Sequence, residues 1–234
     1  MSIYIGTSGF IYKNWVGEFY PPDLPKSKYF DYYATYFNSL ELNSTFYKIP
    51  KPTTFKSWKY KIRKLNDFKL SIKANRYITH TKKLLPTQKL NEFIKLVKIL
   101  EDNLGALLFQ LPPSLKFDDE RLENFCISLD KDIRYAIEFR NKTWYNDKTY
   151  EILKRYNVAL VWHDFNQDIV FEKTADFEYV RLHGSNSKYR GSYDDEFLNS
   201  LAQKLTYGFV YFNNTDDNSA FKDALRLKKL LGEK

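Results

Sequence analysis

The chain has 234 residues and a mass of 28.0 kDa; 43% of its residues are hydrophobic and 18% are aromatic. This composition excludes a disordered chain, and the length allows one large domain with a substantial core. The formal net charge of +8 favours anionic partners only weakly. The single cysteine, Cys126, excludes an intramolecular disulfide and fits a reducing compartment. Neither a secretory leader nor a membrane-length apolar run is visible, so we expect a cytoplasmic protein with no membrane partner.

Short strand-like runs alternate with amphipathic stretches along the whole chain. The run 106–109 is apolar throughout, as a strand buried on both faces should be, and the run 68–72 alternates with period two. Eight strands are predicted, at 3–5, 40–43, 68–72, 106–109, 135–137, 158–162, 179–182 and 208–212. Their spacing, roughly 20–40 residues, is typical of an α/β chain that folds as a TIM (β/α)8 barrel.

The stretches between these runs predict helices. The clearest is 86–100, where Leu90, Phe93, Ile94 and Val97 form an apolar stripe opposite lysines. Helices are predicted at 27–37, 53–65, 86–100, 118–129, 147–156, 194–205 and 219–231, with Cys126 as an apolar filler, whereas the link 165–177 predicts no full helix. No linker or composition break is visible, so the sequence predicts a single TIM-barrel domain over 1–234.

Polar residues stand at nearly every predicted strand end. In such barrels the active site lies at the carboxyl ends of the strands. These ends carry Thr7, Ser8, Glu41, Asn43, Lys73, Gln110, Glu138, Arg140, His163, Asp164, Arg181, His183, Asn213 and Asn214. Loops are polar in any case, which explains the serine and asparagine residues. The ionisable residues favour a shared functional pocket.

Several short motifs occur in a characteristic order from the first predicted strand to the last. They are Ile5-Gly6-Thr7-Ser8-Gly9-Phe10 with Trp15 and Phe19-Tyr20-Pro21-Pro22, Glu41-Leu42-Asn43-Ser44-Thr45-Phe46-Tyr47, Lys73 with Thr79-His80, Leu108-Phe109-Gln110-Leu111-Pro112-Pro113, Glu138-Phe139-Arg140 with Trp144, Tyr179-Val180-Arg181-Leu182-His183-Gly184, Tyr189 with Gly191 and Tyr193, and Tyr211-Phe212-Asn213-Asn214. Together they resemble the domain-of-unknown-function 72 family, also called YecE-like. The resemblance covers essentially the whole chain and implies a TIM barrel, but it implies no reaction.

The chain departs from the family pattern at three places. Asn141 stands where relatives often have histidine, and Leu201-Ala202 replaces a frequent Trp-Ala. Asn218 stands where glycine is common, and asparagine also tolerates left-handed backbone.

The favoured interpretation is an enzyme with a mixed-charge pocket that acts on a small anionic or sugar-like substrate. Glu41 or Glu138 is the expected general acid or base, and Asp164 and His183 assist proton transfer. Two such carboxylates could support glycoside hydrolysis, or they could pair with arginine in a structural network. The reaction is open between a hydrolase, a lyase and an isomerase.

The expected substrate-binding residues share a polar or cationic side chain near a strand end. They are Lys73, His80, Gln110, Arg140, Arg181, Tyr189, Asn213 and Asn214. Arginine suits carboxylate or phosphate, so Arg140 and Arg181 are expected to hold an anion. Lys73 could form a Schiff base or could pair with a glutamate. The loop residue His80 could also be structural.

Three alternatives remain open from the sequence. A divalent metal could bind Glu41, Glu138, Asp164 and His183, although no dense His/Asp spacing is present. Nucleic-acid binding, with metal-assisted phosphodiester cleavage, is compatible with the basic charge and with loop aromatics at Trp15, Tyr20, Phe46 and Tyr47. A non-catalytic small-ligand protein is the third alternative. The oligomeric state is open.

Overall fold

The structure is a computed structural model that describes residues 2–186 and 188–232. Eight parallel strands form one sheet, in which β2 to β8 pair in chain order and β1 pairs with β8. The strands are β1 (Ile3–Thr7), β2 (Ser39–Leu42), β3 (Lys69–Lys73), β4 (Leu104–Gln110), β5 (Tyr135–Glu138), β6 (Val158–His163), β7 (Glu178–Leu182) and β8 (Gly208–Phe212). The result is a nearly closed barrel, and the predicted fold class is confirmed.

The barrel closes at the seam between β1 and β2. A parallel bridge joins Ser8 to Glu41 at the carboxyl end of this seam. Nearer its middle, the hydroxyl of Tyr33 accepts from the backbone N–H of Thr7 at 2.8 Å and donates to the carbonyl of Ser39 at 3.0 Å. A side chain therefore satisfies backbone groups that a strand ladder would otherwise satisfy.

Helices follow most strands and cover the outside of the barrel. They are α1 (Tyr29–Tyr33), α2 (Ser44–Tyr47), α3 (Pro52–Ile62), α4 (Gln88–Val97), α5 (Asp119–Ile127), α6 (Asp147–Arg155), α7 (Asp195–Lys204) and α8 (Ser219–Leu230). The side chains of four residues cap the amino ends of α4 to α7, namely Thr87, Asp118, Asn146 and Asp194. Such caps satisfy backbone N–H groups that a first turn leaves without partners.

The predicted elements agree closely with these bounds. All eight predicted strands overlap an observed strand, and the link 165–177 contains no helix. The predicted stripe of α4 is buried, and Cys126 is buried in α5, where burial raises the pKa of its thiol to about 12. Asn218 has φ 65°, the left-handed conformation expected of it. Among the described helices, none is long and apolar enough to cross a membrane.

The predicted helix at 27–37 differs most from the structure. A 3-10 turn, Lys26–Lys28, precedes a short α1 that ends at Tyr33. The chain then turns inward, and Phe37 becomes buried just before β2 begins at Ser39. The aromatic spacing predicts a helix that continues to Phe37, but in the structure Phe37 is buried by the turn that follows α1.

Candidate functional site

Alternation along the strands directs the predicted pocket residues into the barrel. Successive side chains of a strand point to opposite faces, so residues two apart share a face. On β7, Tyr179 packs in the apolar cluster inside the barrel, and Arg181 and His183 follow it at spacings of two. The same spacing places Lys73 above Ser71 on β3. The inward positions at the carboxyl ends therefore hold most of the predicted site residues.

Arg181 bridges two buried glutamates at the centre of the barrel. Its Nε and Nη2 donate to Glu41 at 3.0 and 2.9 Å, and its Nη1 donates to Glu138 at 2.5 Å. Glu41 also accepts from the hydroxyls of Ser8 and Tyr179, each at 2.7 Å. Both carboxylates and the guanidinium are almost completely buried. This is the structural ion network that the sequence left open as an alternative.

The network keeps both carboxylates ionised. Burial raises the pKa of Glu41, but the Arg181 guanidinium outweighs it and holds that pKa below its ordinary value. Burial likewise raises the pKa of Glu138, and the charges of Arg140 and Arg181 hold it well below its ordinary value. A carboxylate with a low pKa carries no proton near neutral pH, so it suits the role of a fixed anion better than that of a general acid.

A second chain of contacts fixes Arg140. Its Nε donates to Glu138, its Nη2 lies 3.1 Å from Nε2 of His183, and its guanidinium lies 3.6 Å from the centroid of the Phe165 ring. Because arginine only donates, His183 accepts with Nε2 and donates with Nδ1, which lies 3.3 Å from Asp164. The second oxygen of Asp164 accepts from the hydroxyl of Tyr193.

His183 is a neutral acceptor in this chain. Burial lowers the pKa of His183 to about 4, although its hydrogen bond with Asp164 acts in the opposite direction. Burial raises the pKa of Asp164, but the hydrogen bonds from His183 and Tyr193 hold it below its ordinary value. The predicted pair of Asp164 and His183 is therefore brought together, and its geometry positions Arg140.

Lys73 differs from the other cations of the site. No carboxylate oxygen of the described residues lies within 4.0 Å of its Nζ, which lies 4.7 Å from the centroid of the Phe46 ring. The predicted alternative, an ion pair with Glu41 or Glu138, is not formed. Burial and the charge of Arg181 lower the pKa of Lys73 to about 8.

A cleft of about 260 Å³ opens over these residues at the carboxyl ends of the strands. It is lined by Asn43, Phe46, Tyr47, Lys73, Gln110, Arg140, Arg181, Tyr189, Asn213, Thr215 and Asp216. Six of the eight predicted substrate-binding residues are in this set. The buried Oδ1 of Asn43 has no hydrogen-bond partner among the described residues. The cleft therefore offers cations, amides and an unused acceptor.

Two predicted substrate-binding residues lie outside the cleft lining. His80 lies on a π-helical turn, Tyr77–Thr81, where its Nδ1 is 2.9 Å from the Thr79 hydroxyl. The amide of Asn214 is buried and donates to Gly191 and to Asp223. Both side chains therefore meet protein partners. His80 meets its partner within the π-helical turn, and Asn214 meets Asp223 of α8. The motifs at the strand ends predict neither contact.

Three further candidates, His163, Trp15 and Tyr20, contact other parts of the protein and do not line the cleft. His163 Nε2 lies 2.8 Å from the carbonyl of Phe139, and its Nδ1 accepts from the backbone N–H of Phe165 at 3.2 Å. Trp15 and Tyr20, expected in loops as stacking residues, are instead fully buried, so that expectation is wrong. Tyr47, in contrast, is 76% exposed at the rim of the cleft.

Two residues of the cleft are not among those predicted from the sequence. Thr215 and the exposed Asp216 follow the paired asparagines after β8 and complete the lining. Asn141, one of the departures from the family pattern, does not line the cleft; it caps the 3-10 turn Lys142–Trp144 and donates to the carbonyl of Pro113. The path of each loop decides whether its residues reach the cleft, as Thr215 and Asp216 do, or turn away from it, as Asn141 does.

The predicted metal ligands do not converge. Over residues 2–186 and 188–232, no three His, Cys, Asp or Glu side chains form a group that could hold a metal ion. Glu41 and Glu138 face Arg181, and Asp164 faces His183 and Tyr193.

These features define a (β/α)8 barrel with a charged cleft at the carboxyl ends of its strands. The sequence model of the family described as "Protein of unknown function DUF72" matches residues 4–234. The chain therefore belongs to the DUF72 family, as the resemblance of its motifs indicates.

Individual relatives agree with this assignment. The UPF0759 protein YunF of Bacillus subtilis (strain 168) is 26% identical to the chain over 271 residues, which span 98% of this chain and 94% of that protein. The crystal structure of a DUF72 family protein from Thermotoga maritima superposes with a TM-score of 0.86 at 29% identity, and each chain is covered completely. One from Enterococcus faecalis superposes with a TM-score of 0.77 at 19% identity, covering 100% of this chain and 96% of that one, and supports the fold alone.

Proposed function

We propose that the protein is an enzyme that binds a small hydroxylated anion in the barrel mouth and moves a proton on it. The observation that carries the proposal is the cleft lined by Lys73, Arg140 and Arg181 at the carboxyl ends of the strands. Its volume equals that of roughly nine water molecules at about 30 Å³ each. This size suits a sugar acid or a short sugar phosphate.

Arg140 is the group that holds the anion in this proposal. Glu138, His183 and Phe165 fix its guanidinium from three sides. Among the described residues its Nη1 makes no hydrogen bond, so these N–H groups are available to a ligand. A guanidinium that is already oriented loses little freedom on binding, which favours affinity.

The hydroxyl groups of the ligand would meet the amides. Asn43 presents a buried oxygen that has no partner among the described residues, and such a group requires a donor. Gln110 and Asn213 line the same cleft. A substrate with hydroxyl groups beside its charge fits this combination better than a bare inorganic anion.

Lys73 is the group suited to proton transfer. Acid/base catalysis works best when the pKa of the group lies near the working pH, and burial lowers the pKa of Lys73 to about 8. Glu41 and Glu138, the groups expected from the sequence, are held as anions by arginine. In this proposal they fix the positive side chains of the cleft.

The test is calorimetric titration with glycerate, gluconate, glycerol phosphate, ribose phosphate and inorganic phosphate. We expect at least one organic anion to bind, and Arg140→Gln to weaken it by about tenfold or more through loss of a charge-assisted hydrogen bond. Arg63→Gln is the control, because Arg63 follows α3 and its guanidinium lies over Tyr60. Binding that is absent, or equal in wild type and Arg140→Gln, would contradict the proposal.

Proton transfer is measured separately. Each anion that binds is incubated with the protein in D2O, and loss of its C–H signals is followed by NMR. We expect exchange at one carbon in the wild-type protein and its loss in Lys73→Met. Exchange that survives in Lys73→Met would transfer the role to another group.

The nucleic-acid alternative has weaker support. Two of the four aromatics that favoured it, Trp15 and Tyr20, are buried. A larger cleft of about 740 Å³ lies beside the loop after β7, but Asp164, Asp168 and Asp194 line it, and their charges would repel phosphate. No specific observation favours this function over binding of a small anion.

A further inference from the structure

We infer that Lys73 is a nucleophile that forms an imine with the carbonyl carbon of a small anionic aldehyde or ketone. The inference rests on the proposed function, because the same cleft binds the substrate. It adds the substrate class and a covalent step, in which Lys73 promotes proton loss from the substrate as a protonated imine instead of accepting that proton itself.

The position of the Lys73 amine carries the inference. Lys73 ends β3, lines the cleft and has no hydrogen-bond or ion-pair partner among the described residues. Lys173 provides a contrast, because it also lies beside a buried glutamate and pairs with Glu178 at 2.5 Å. At the barrel mouth, Arg181 occupies both neighbouring glutamates and leaves the Lys73 amine facing the cleft.

The surroundings of Lys73 favour the neutral amine that attacks a carbonyl. The Phe46 ring attracts the ammonium through a cation–π contact, but burial removes water from the ammonium and Arg181 adds a like charge. Both effects disfavour the charged form, and the pKa of about 8 leaves roughly a tenth of Lys73 neutral at pH 7. Desolvation together with a neighbouring cation is a recognised means of activating a lysine nucleophile.

The step is balanced without an oxidant or a metal. The Lys73 nitrogen forms a bond to the carbonyl carbon, and the carbonyl oxygen takes up a proton to give a carbinolamine. The C–O bond then breaks, water leaves with both amine protons, and a C=N bond remains. A proton from solvent on the imine nitrogen makes it an electron sink, so that the adjacent C–H bond becomes more acidic and releases its proton to solvent water. The charges of Glu41 and Glu138 favour this cation.

Arg140 selects among carbonyl compounds. A neutral aldehyde has no group for its guanidinium, whereas a keto acid or an aldehyde phosphate presents two oxygens for paired hydrogen bonds. We therefore expect glyoxylate and pyruvate to react at Lys73 faster than acetaldehyde and acetone.

The experiment is reductive trapping in the wild-type protein. Glyoxylate or pyruvate is added with sodium cyanoborohydride, and the product is analysed by intact mass and by peptide mapping. We expect one adduct per chain, located at Lys73, with a rate that rises with pH to a midpoint near 8. Trapping at the surface lysines should be slower than trapping at Lys73 near neutral pH.

Matched variants identify the reacting amine. Lys73→Arg should abolish the adduct, and Lys89→Met should keep it, because Lys89 lines a neighbouring cleft and lies 4.7 Å from the Tyr77 ring. Arg140→Gln should slow trapping about tenfold, the factor expected for loss of one charge-assisted hydrogen bond. Mapping of the wild-type adduct does not depend on the folding of any variant.

The outcomes separate this inference from the proposed function. If glycerate, which has no aldehyde or ketone carbon to attack, binds through Arg140 while no aldehyde or ketone is trapped at Lys73, the imine is wrong and the proposed function stands. If neither binding nor trapping occurs, both are wrong. Labelling of Lys73 at the rate of surface lysines would also overturn the inference.

Discussion

The inside of the barrel has two layers of opposite character. The lower layer is apolar and aromatic, and consists of Tyr4, Ala106, Leu108, Ala136, Ala159, Val161, Phe177, Tyr179, Phe209 and Tyr211. The upper layer consists of Glu41, Lys73, Glu138 and Arg181, with Arg140 and His183 above them. The lower layer stabilises the barrel by removing apolar surface from water. The upper layer requires burial of charges, which costs several kcal/mol per ion before pairing.

One strand crosses both layers and shows how they are joined. On β7, the ring of Tyr179 packs in the lower layer, and its hydroxyl donates to Glu41 at 2.7 Å. Two residues further on, Arg181 pairs with Glu41 and Glu138. A fold alone needs no such charges, because apolar side chains of similar volume often stabilise as well as a buried ion pair. The lower layer therefore mainly stabilises the barrel, and the upper layer mainly forms the charged floor of the cleft.

The largest effect is expected from Arg181→Met. This change leaves two buried carboxylates without their shared cation, which should lower the free energy of unfolding by about 3–5 kcal/mol and abolish ligand binding. Urea denaturation measures the first effect and calorimetric titration the second. Arg155→Met is the control, since its ion pair with Glu123 lies at the surface and is worth less than about 1 kcal/mol. A loss in Arg181→Met no larger than in this control would contradict the two-layer interpretation.

A similar loss of stability with intact binding is expected from Phe209→Ala. Phe209 is fully buried in the lower layer and stacks on Tyr4 with ring centroids 5.2 Å apart. Its truncation should cost about 3–5 kcal/mol, because the cavity it leaves cannot be filled completely. Ligand affinity at a temperature where the variant is folded should match wild type. A tenfold weaker affinity would show that the two layers are coupled.

A smaller, pH-dependent effect is expected from His183. Burial holds its pKa at about 4 in the folded protein, whereas an unfolded histidine titrates near 6.5. Between these values the unfolded chain binds a proton that the folded protein excludes, so stability falls as the pH is lowered from about 6.5 to 4.5. The expected loss is about 2 kcal/mol at most.

His183→Asn should remove most of this loss. Unfolding curves at pH 6.5, 5.5 and 4.5 measure the slope in each protein. The buried carboxylates begin to contribute below about pH 5, and the difference between the two proteins cancels their contribution. His80→Asn is a control with a smaller effect, since His80 is only half-buried. An unchanged slope in His183→Asn would assign the effect to His163, whose pKa burial also lowers.

The sequence predicts the strands and the site unequally well. Period-two alternation and strand ends are local properties, so the sequence alone locates Arg181, His183 and Lys73 at one mouth of the barrel. Pairing is not local: Arg181 meets Glu41 across 140 positions of the chain. Hence the sequence identifies the charged residues of the site, but it does not indicate that Arg181 pairs with both glutamates and that Lys73 pairs with neither.

Loops account for most of the errors. Trp15 lies in a 3-10 turn after β1, and its ring packs edge-on against Phe221 of α8 with centroids 5.2 Å apart. Tyr20 stacks on Tyr29 of α1 with centroids 4.0 Å apart. Both residues lie between strands in the sequence, and this position predicts that they are exposed. The prediction is wrong because it takes no account of the helices that cover them. Burial of a loop aromatic is a tertiary property.

The smallest expected effect has the opposite sign. Lys73→Met should stabilise the protein by about 1–2 kcal/mol near neutral pH, because methionine fills a similar volume without the cost of a buried charge. In the wild-type protein Lys73 has a pKa of about 8, and in the unfolded chain a lysine titrates near 10.4. Below pH 8 both states carry the charge and the cost is complete. Above pH 8 only the unfolded chain keeps the proton, so wild-type stability rises with pH.

The difference between Lys73→Met and wild type should therefore be largest below pH 8 and should shrink between pH 8 and 9.5. Urea denaturation at several pH values in this range measures it, and Lys89→Met, at an exposed position, should show no such trend. A variant less stable than wild type at neutral pH would mean that the ammonium of Lys73 is satisfied in the folded protein. Greater stability combined with lost proton exchange would mean that the upper layer retains Lys73 for chemistry, at the expense of stability.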